Sequence, residues 1–143
     1  MEPASILLTS TVLLAIAAAG GLVMAGIRFA GNRPPPAPLA MLHGFLAAAA
    51  VTLLIYAAAT VGLPTMALVA IALFLAAAGG GAILNLNYHW KQLPLPKGLI
   101  VVHAIAAVAG FVLLLAATWA NTATRSAVTL ATPIARTLAI CPP

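Results

Sequence analysis

Acidic side chains are almost absent from this chain. Glu2 is the only one, and there is no aspartate. That absence excludes carboxylate dyads, Asp-supported catalytic triads, carboxylate cages for hard cations and acidic nucleotide–metal sites. It also argues against a proton-coupled small multidrug exchanger, which needs a carboxylate inside the membrane. Charge of either sign is scarce, at 5% of residues, where a soluble domain carries roughly a quarter. The exterior therefore has to face lipid or other protein. Cysteine is limited to Cys141, so no intrachain disulfide can form, and an inert thiol is expected there. The net charge of +5 would suggest nucleic acid for a soluble protein. Here the few cations flank apolar segments and are read as topology determinants, so no nucleic-acid partner is expected.

What is abundant is apolar: 64% of 143 residues. Four uncharged stretches, residues 6–27, 39–62, 66–86 and 99–120, match the roughly 20 helical residues that cross about 30 Å of hydrocarbon. The sequence predicts an all-α integral membrane protein with four transmembrane helices, arranged as two tandem helical hairpins. Ala17-Ala18-Ala19 resembles a signal-peptide cleavage region. A run this long, preceded by Glu2 rather than a cation, predicts a retained helix instead. Pro34, Pro35, Pro36 and Pro38 divide helices one and two, and Pro94 and Pro96 divide three and four. Proline lacks the amide hydrogen of a helix interior but is tolerated in a first turn, so each cluster ends one helix and starts the next. Gly62-Leu63-Pro64-Thr65 makes a tight turn between helices two and three.

Arg28, Arg33, Lys91 and Lys97 fall in the two Pro-rich connections, whereas the other side holds Glu2, the uncharged turn, Arg125 and Arg136. The positive-inside rule then places the Pro-rich loops in the cytoplasm and both termini outside, in a membrane such as a bacterial inner membrane. Residues 1–120 form the transmembrane domain. Residues 121–143 are read as a polar tail, too short and too interrupted by Pro133 to span, lying along the outer interface or against a partner.

A shift of 60 residues aligns 5–60 with 65–120 without a gap. About 15 of the 56 positions are then identical, where this composition gives roughly 6 by chance. Gly20-Gly21 falls on Gly80-Gly81, Pro34 on Pro94, Pro36 on Pro96 and His43 on His103. Each copy holds two helices, so both insert the same way up, related by a pseudo-two-fold axis along the membrane normal.

His43 and His103 lie seven residues past Pro36 and Pro96, on the order of 10 Å into their helices. In a ring of four helices they face each other across the core at one depth. Polar side chains inside membranes are costly and are functional candidates by default. Two opposed imidazoles suit the axial ligation of one b-type haem. Ala47, Ala50, Ala107 and Gly110 leave room beside the ligands, and the glycine pairs let helices one and three come close to the macrocycle. Arg33, Lys91 and Lys97 are candidate partners for its propionates. No acid is present to orient the rings, so backbone carbonyls would have to serve. His89, beside Tyr88 and Trp90, reads as part of an interfacial belt.

In architecture the pattern resembles cytochrome b561-like and other four-helix haem-b membrane subunits. Those often carry a second histidine pair near the other face. This sequence has none, so the resemblance implies at most one haem. The expected function is an electron carrier or the haem-bearing subunit of a membrane redox complex, not itself an enzyme. The alternatives are a cofactor-free accessory or scaffolding subunit, in which the histidines bond each other or a backbone carbonyl, and a small parallel-repeat transporter.

Overall fold

The computed structural model describes residues 3–139, with side chains for 4–124 and 126. Glu2 and Cys141 lie outside the described residues, and the side chains of Arg125 and Arg136 lie outside the described side chains. The protein is all-helical. Helix α1 spans Pro3–Gly31, α2 Ala37–Thr60, α3 Thr65–Ile83 and α4 Lys97–Ala139. All four are long and apolar enough to cross a membrane.

The breaks follow the proline and glycine chemistry. Pro36 and Pro64 cap the starts of α2 and α3, with Pro38 in the first turn of α2. Gly62 takes φ +73° in the turn between them, a conformation that costs glycine nothing and other residues a Cβ clash. Asn32 and Gln92 follow the ends of α1 and of the third span in the same left-handed region, at φ 52° and 56°. Such a residue closes a helix by turning its last amides back on the preceding carbonyls.

Two elements depart from the expected outline. The third span does not end as an α-helix but passes at Leu84 into a π-helical segment, Leu84–His89. The widened hydrogen bonding continues past it, with Trp90 N donating to Asn85 O at 2.8 Å and Leu93 N to Tyr88 O at 2.9 Å. Helix α4 also runs on into the tail, through Pro133 to Ala139, as one helix of 43 residues. Pro133 removes one backbone donor from α4, and the trace carries the helix through it.

The helices close a ring in chain order. α1 packs chiefly on α2 and α3 chiefly on α4, and two lesser seams, α1–α4 and α2–α3, join the hairpins. The sealed core sits toward the α2–α3 turn. Leu7, Leu14, Ala50, Leu54, Ala67, Ala70, Phe74, Leu114 and Ala117 pack together there. Within it the α1–α4 seam is bridged by Thr11 and Thr118, whose hydroxyls lie 3.1 Å apart. Each also reaches the carbonyl four residues earlier, Leu7 O and Leu114 O, both at 2.8 Å. Two hydroxyl protons cannot serve three contacts at once, so the bridge is a weak tie.

Features recur at the 60-residue interval. Leu14 and Ala17 are buried, as are Phe74 and Ala77; Ala50, Leu54 and Ala57 are buried, as are Gly110, Leu114 and Ala117. Toward the Pro-rich loops the packing loosens. The inward-facing Gly20, Gly21, His43, Ala47, Gly80, Gly81, His103 and Ala107 are all half-buried.

Candidate functional site

His43 and His103 converge in this looser half, from helices diagonal in the ring. Their ring centres are 6.2 Å apart and their planes meet at 66°. Each is tied to the neighbouring helix of its own hairpin. His43 Nδ1 donates to Ala17 O at 2.7 Å, and His103 Nδ1 donates to Ala77 O at 2.8 Å. The acceptors, like the histidines, are 60 residues apart.

These bonds fix the tautomer. A backbone carbonyl has no proton to give, so Nδ1 must carry the hydrogen in both rings. In the neutral imidazoles the lone pair then belongs to Nε2. Two such rings cannot hydrogen-bond each other without an added proton, and among the described residues no bond joins them. This is how metal-binding histidines are prepared: one nitrogen donates to a carbonyl, which fixes the ring and leaves the other nitrogen as a basic ligand.

The glycines explain how α1 and α3 come close enough. A Cβ added at Gly21 would lie 3.2 Å from His43 Cε1 and 3.5 Å from Nδ1; at Gly81 the distances to His103 are again 3.2 and 3.5 Å. Gly21 stands four residues after Ala17, one turn above the accepting carbonyl, where a side chain would shield it from the imidazole. Gly21 and Gly81 thus make room for the imidazoles. Of the four small residues expected to wall a slot, Ala47 and Ala107 are half-buried near the histidines. Ala50 belongs to the sealed core. A Cβ at Gly110 would meet Phe74 Cε1 at 3.1 Å and Ala70 O at 3.3 Å, so that glycine serves the close approach of α4 to α3.

The cations lie on the loop end, away from the imidazoles. Arg33 is exposed, its side chain folded against Gly31. Lys91 is exposed, and Lys97 lies over the Phe29 ring at 5.5 Å. Sequence reasoning read Arg28 only as one of the topology-determining cations, yet it is the most engaged cation among the described side chains. Its Nε and one terminal nitrogen donate to Leu95 O at 3.0 and 2.9 Å, and the other terminal nitrogen donates to Asn32 Oδ1 at 3.1 Å. It straps α1 to the loop before α4.

His89, expected to face outward beside Tyr88 and Trp90, is instead turned into the protein. It is 8% exposed, and its Nδ1 is enclosed without a hydrogen-bond partner. The π-helical segment turns it inward, which no α-helical period could foretell. Ser10 Oγ is likewise buried and unpartnered. Among the described residues no group of three or more His, Cys, Asp or Glu side chains is placed to hold a metal ion. A site here rests on the two histidines. No family model, curated protein or solved structure matches the chain.

Proposed function

We propose that this protein is a small membrane electron carrier, or the haem-bearing subunit of a membrane redox complex, and that His43 and His103 hold one b-type haem between the hairpins. The observation that carries this reading is the pair of imidazoles with Nδ1 bonded to Ala17 O and Ala77 O and ring centres 6.2 Å apart. Two imidazoles on one iron stand at a similar separation. Each metal–nitrogen bond is about 2 Å, and the nitrogen lies roughly 1 Å from its ring centre, for roughly 6 Å in all. Haem iron with both axial positions filled by protein suits one-electron transfer rather than substrate binding. The half-buried packing around the histidines is where the hairpins have room to part, while the core toward the turn holds them together. Propionates directed to the loop end would meet cations drawn from Arg33, Lys91 and Lys97.

The same reading takes the two hairpins as pseudo-two-fold copies, each supplying one ligand. By the positive-inside rule it places the Pro-rich loops on the cytoplasmic side. A cofactor-free scaffold is the second reading. It is favoured by one observation: each histidine already ties its own hairpin together through a carbonyl.

The test is the visible spectrum of protein purified from cells supplied with haem. A Soret band with six-coordinate character is expected. His43→Ala or His103→Ala should abolish or convert it, and His89→Ala should leave it. A colourless wild-type protein would leave the scaffold in possession.

A further inference from the structure

The two hairpins part company at the loop end of their first helices. Residues 24–29 of α1 are α-helical and end on Phe29, which is 45% exposed. The matching residues of the third span, Leu84–His89, are π-helical and end on His89, 8% exposed. The inward stripe of that span steps by three or four residues through Phe74, Ala77, Gly81 and Leu84, then by five to His89, the period of a π turn. Its backbone is held in place. His89 O accepts from Gln92 N and Gln92 Nε2, both at 3.1 Å, and Asn85 O accepts from Trp90 N at 2.8 Å. The ring Nδ1 is nevertheless enclosed and has no partner. An unpaired polar atom inside a membrane bundle is costly, and a partner that arrives with a ligand accounts for it. π turns are also frequent at functional sites.

The place of His89 on the stripe indicates which ligand. Gly81 stands beside the His103 ring, where an added Cβ would lie 3.2 Å from Cε1. Leu84 is most of a turn further on and His89 one π turn beyond that, roughly 10 Å toward the loop end in all. Side chains lean toward the N-terminus of their helix, which here is back toward the two imidazoles. The other buried groups at this end are apolar: Leu84, Leu95 and Pro35, the counterpart of Leu95 in the first hairpin. Arg28 is engaged with Leu95 O and Asn32, and Lys97 lies over Phe29. Among the described residues at this end, His89 is the one buried polar side chain.

A haem carboxylate oxygen is seven bonds from the iron, which at about 1.5 Å a bond bounds its reach at about 10 Å. We propose that His89 Nδ1 donates to one propionate of the haem held by His43 and His103. The inference rests on the haem reading above. It gives the macrocycle a buried anchor on the loop side and leaves the second propionate to the exposed cations. His89 and His103 belong to one hairpin, so parting the hairpins for the macrocycle opens the way to both.

The test titrates full-length, haem-free protein in nanodiscs with haem and with haem dimethyl ester, whose carboxylates are blocked. His89→Leu keeps the bulk of the side chain and removes the donor. The wild type should bind haem roughly 10- to 100-fold more tightly than His89→Leu, the worth of a hydrogen bond to a charged group. For the ester the two should agree within about twofold. His89→Asn, whose amide can set a donor near the place of Nδ1, should recover part of the haem affinity. All three should keep the six-coordinate spectrum, because the axial ligands are untouched. Comparing haem with its ester in each variant cancels any change in the fold itself. Equal haem affinity in the wild type and His89→Leu overturns the proposal and leaves the haem reading standing. An equal loss for haem and for the ester overturns it as well, since His89 then serves packing alone. A wild type that binds no haem overturns both.

Discussion

At the scale of single residues, the exchange that organises the membrane interior is a missing methyl group for a hydrogen bond. Gly21 and Gly81 lack the Cβ that would stand 3.2 Å from an imidazole carbon. In return Ala17 O and Ala77 O accept from Nδ1 at 2.7 and 2.8 Å. Each of these carbonyls also serves its own helix, so the imidazole takes a second lone pair that would otherwise be masked. Gly20 is different. A Cβ there would rest 3.8 Å from Leu39 Cδ1 and 3.9 Å from His43 Cβ, which is ordinary contact. Gly20→Ala should therefore be neutral or stabilising by up to about 1 kcal/mol, the helix-propensity gain of alanine over glycine. Gly21→Ala gains the same propensity but must displace a ring held by its bond. Overpacking of that kind costs about 1–3 kcal/mol, so a net loss is expected. Thermal unfolding of the two single variants side by side checks this. Equal midpoints would mean that the imidazole yields freely and that the carbonyl bond is not what positions it.

At the scale of elements, the division between what the sequence disclosed and what it hid follows from which signals are local. The four spans were legible because run length and the Pro36, Pro64 and Pro96 breaks act within a few residues. The pairing of His43 with His103 was legible because the 60-residue interval repeated around it. The need for carbonyl partners followed from the missing acids. The acceptors, Ala17 and Ala77, were not identified, although a glycine four residues further on marked both. The π-helical segment was hidden because one extra residue in a turn leaves no composition signature, and with it went the burial of His89. The continuation of α4 through Pro133 was hidden because an interior proline ordinarily kinks or ends a helix. The π segment carries its own prediction. A buried ring nitrogen without a partner costs about 1–3 kcal/mol, and an apolar replacement of similar shape removes that cost. His89→Leu should therefore leave the unfolding midpoint unchanged or raise it. A fall as large as the loss of a core side chain would show instead that Nδ1 is bonded in the membrane-bound protein.

At the scale of the whole molecule, the gathering of cations at one end ties the fold to an orientation. Arg28, Arg33, Lys91 and Lys97 occupy the loop end, while the turn between α2 and α3 carries no charge. The excess of Lys and Arg within a short distance of the helix ends, counted over short loops, is what sets insertion. Two reporter positions on each side can test the assignment without disturbing the fold. Ala37 is exposed at the start of α2, and Gly98 opens onto free space in the first turn of α4. Both are better sites than Asn32 or Gln92, whose positive φ would strain a cysteine. Thr65 at the start of α3 and Thr124 on α4 are exposed at the opposite end. In a Cys141→Ser background, single cysteines at Ala37 and Gly98 should resist a membrane-impermeant thiol reagent applied to intact cells and react after permeabilisation. Cysteines at Thr65 and Thr124 should react at once. The reverse pattern would invert the protein in its membrane and leave four spans intact. It would also move the histidine level, about 10 Å from the loop end of the helices, to the outer side, and with it the side from which a redox partner must approach.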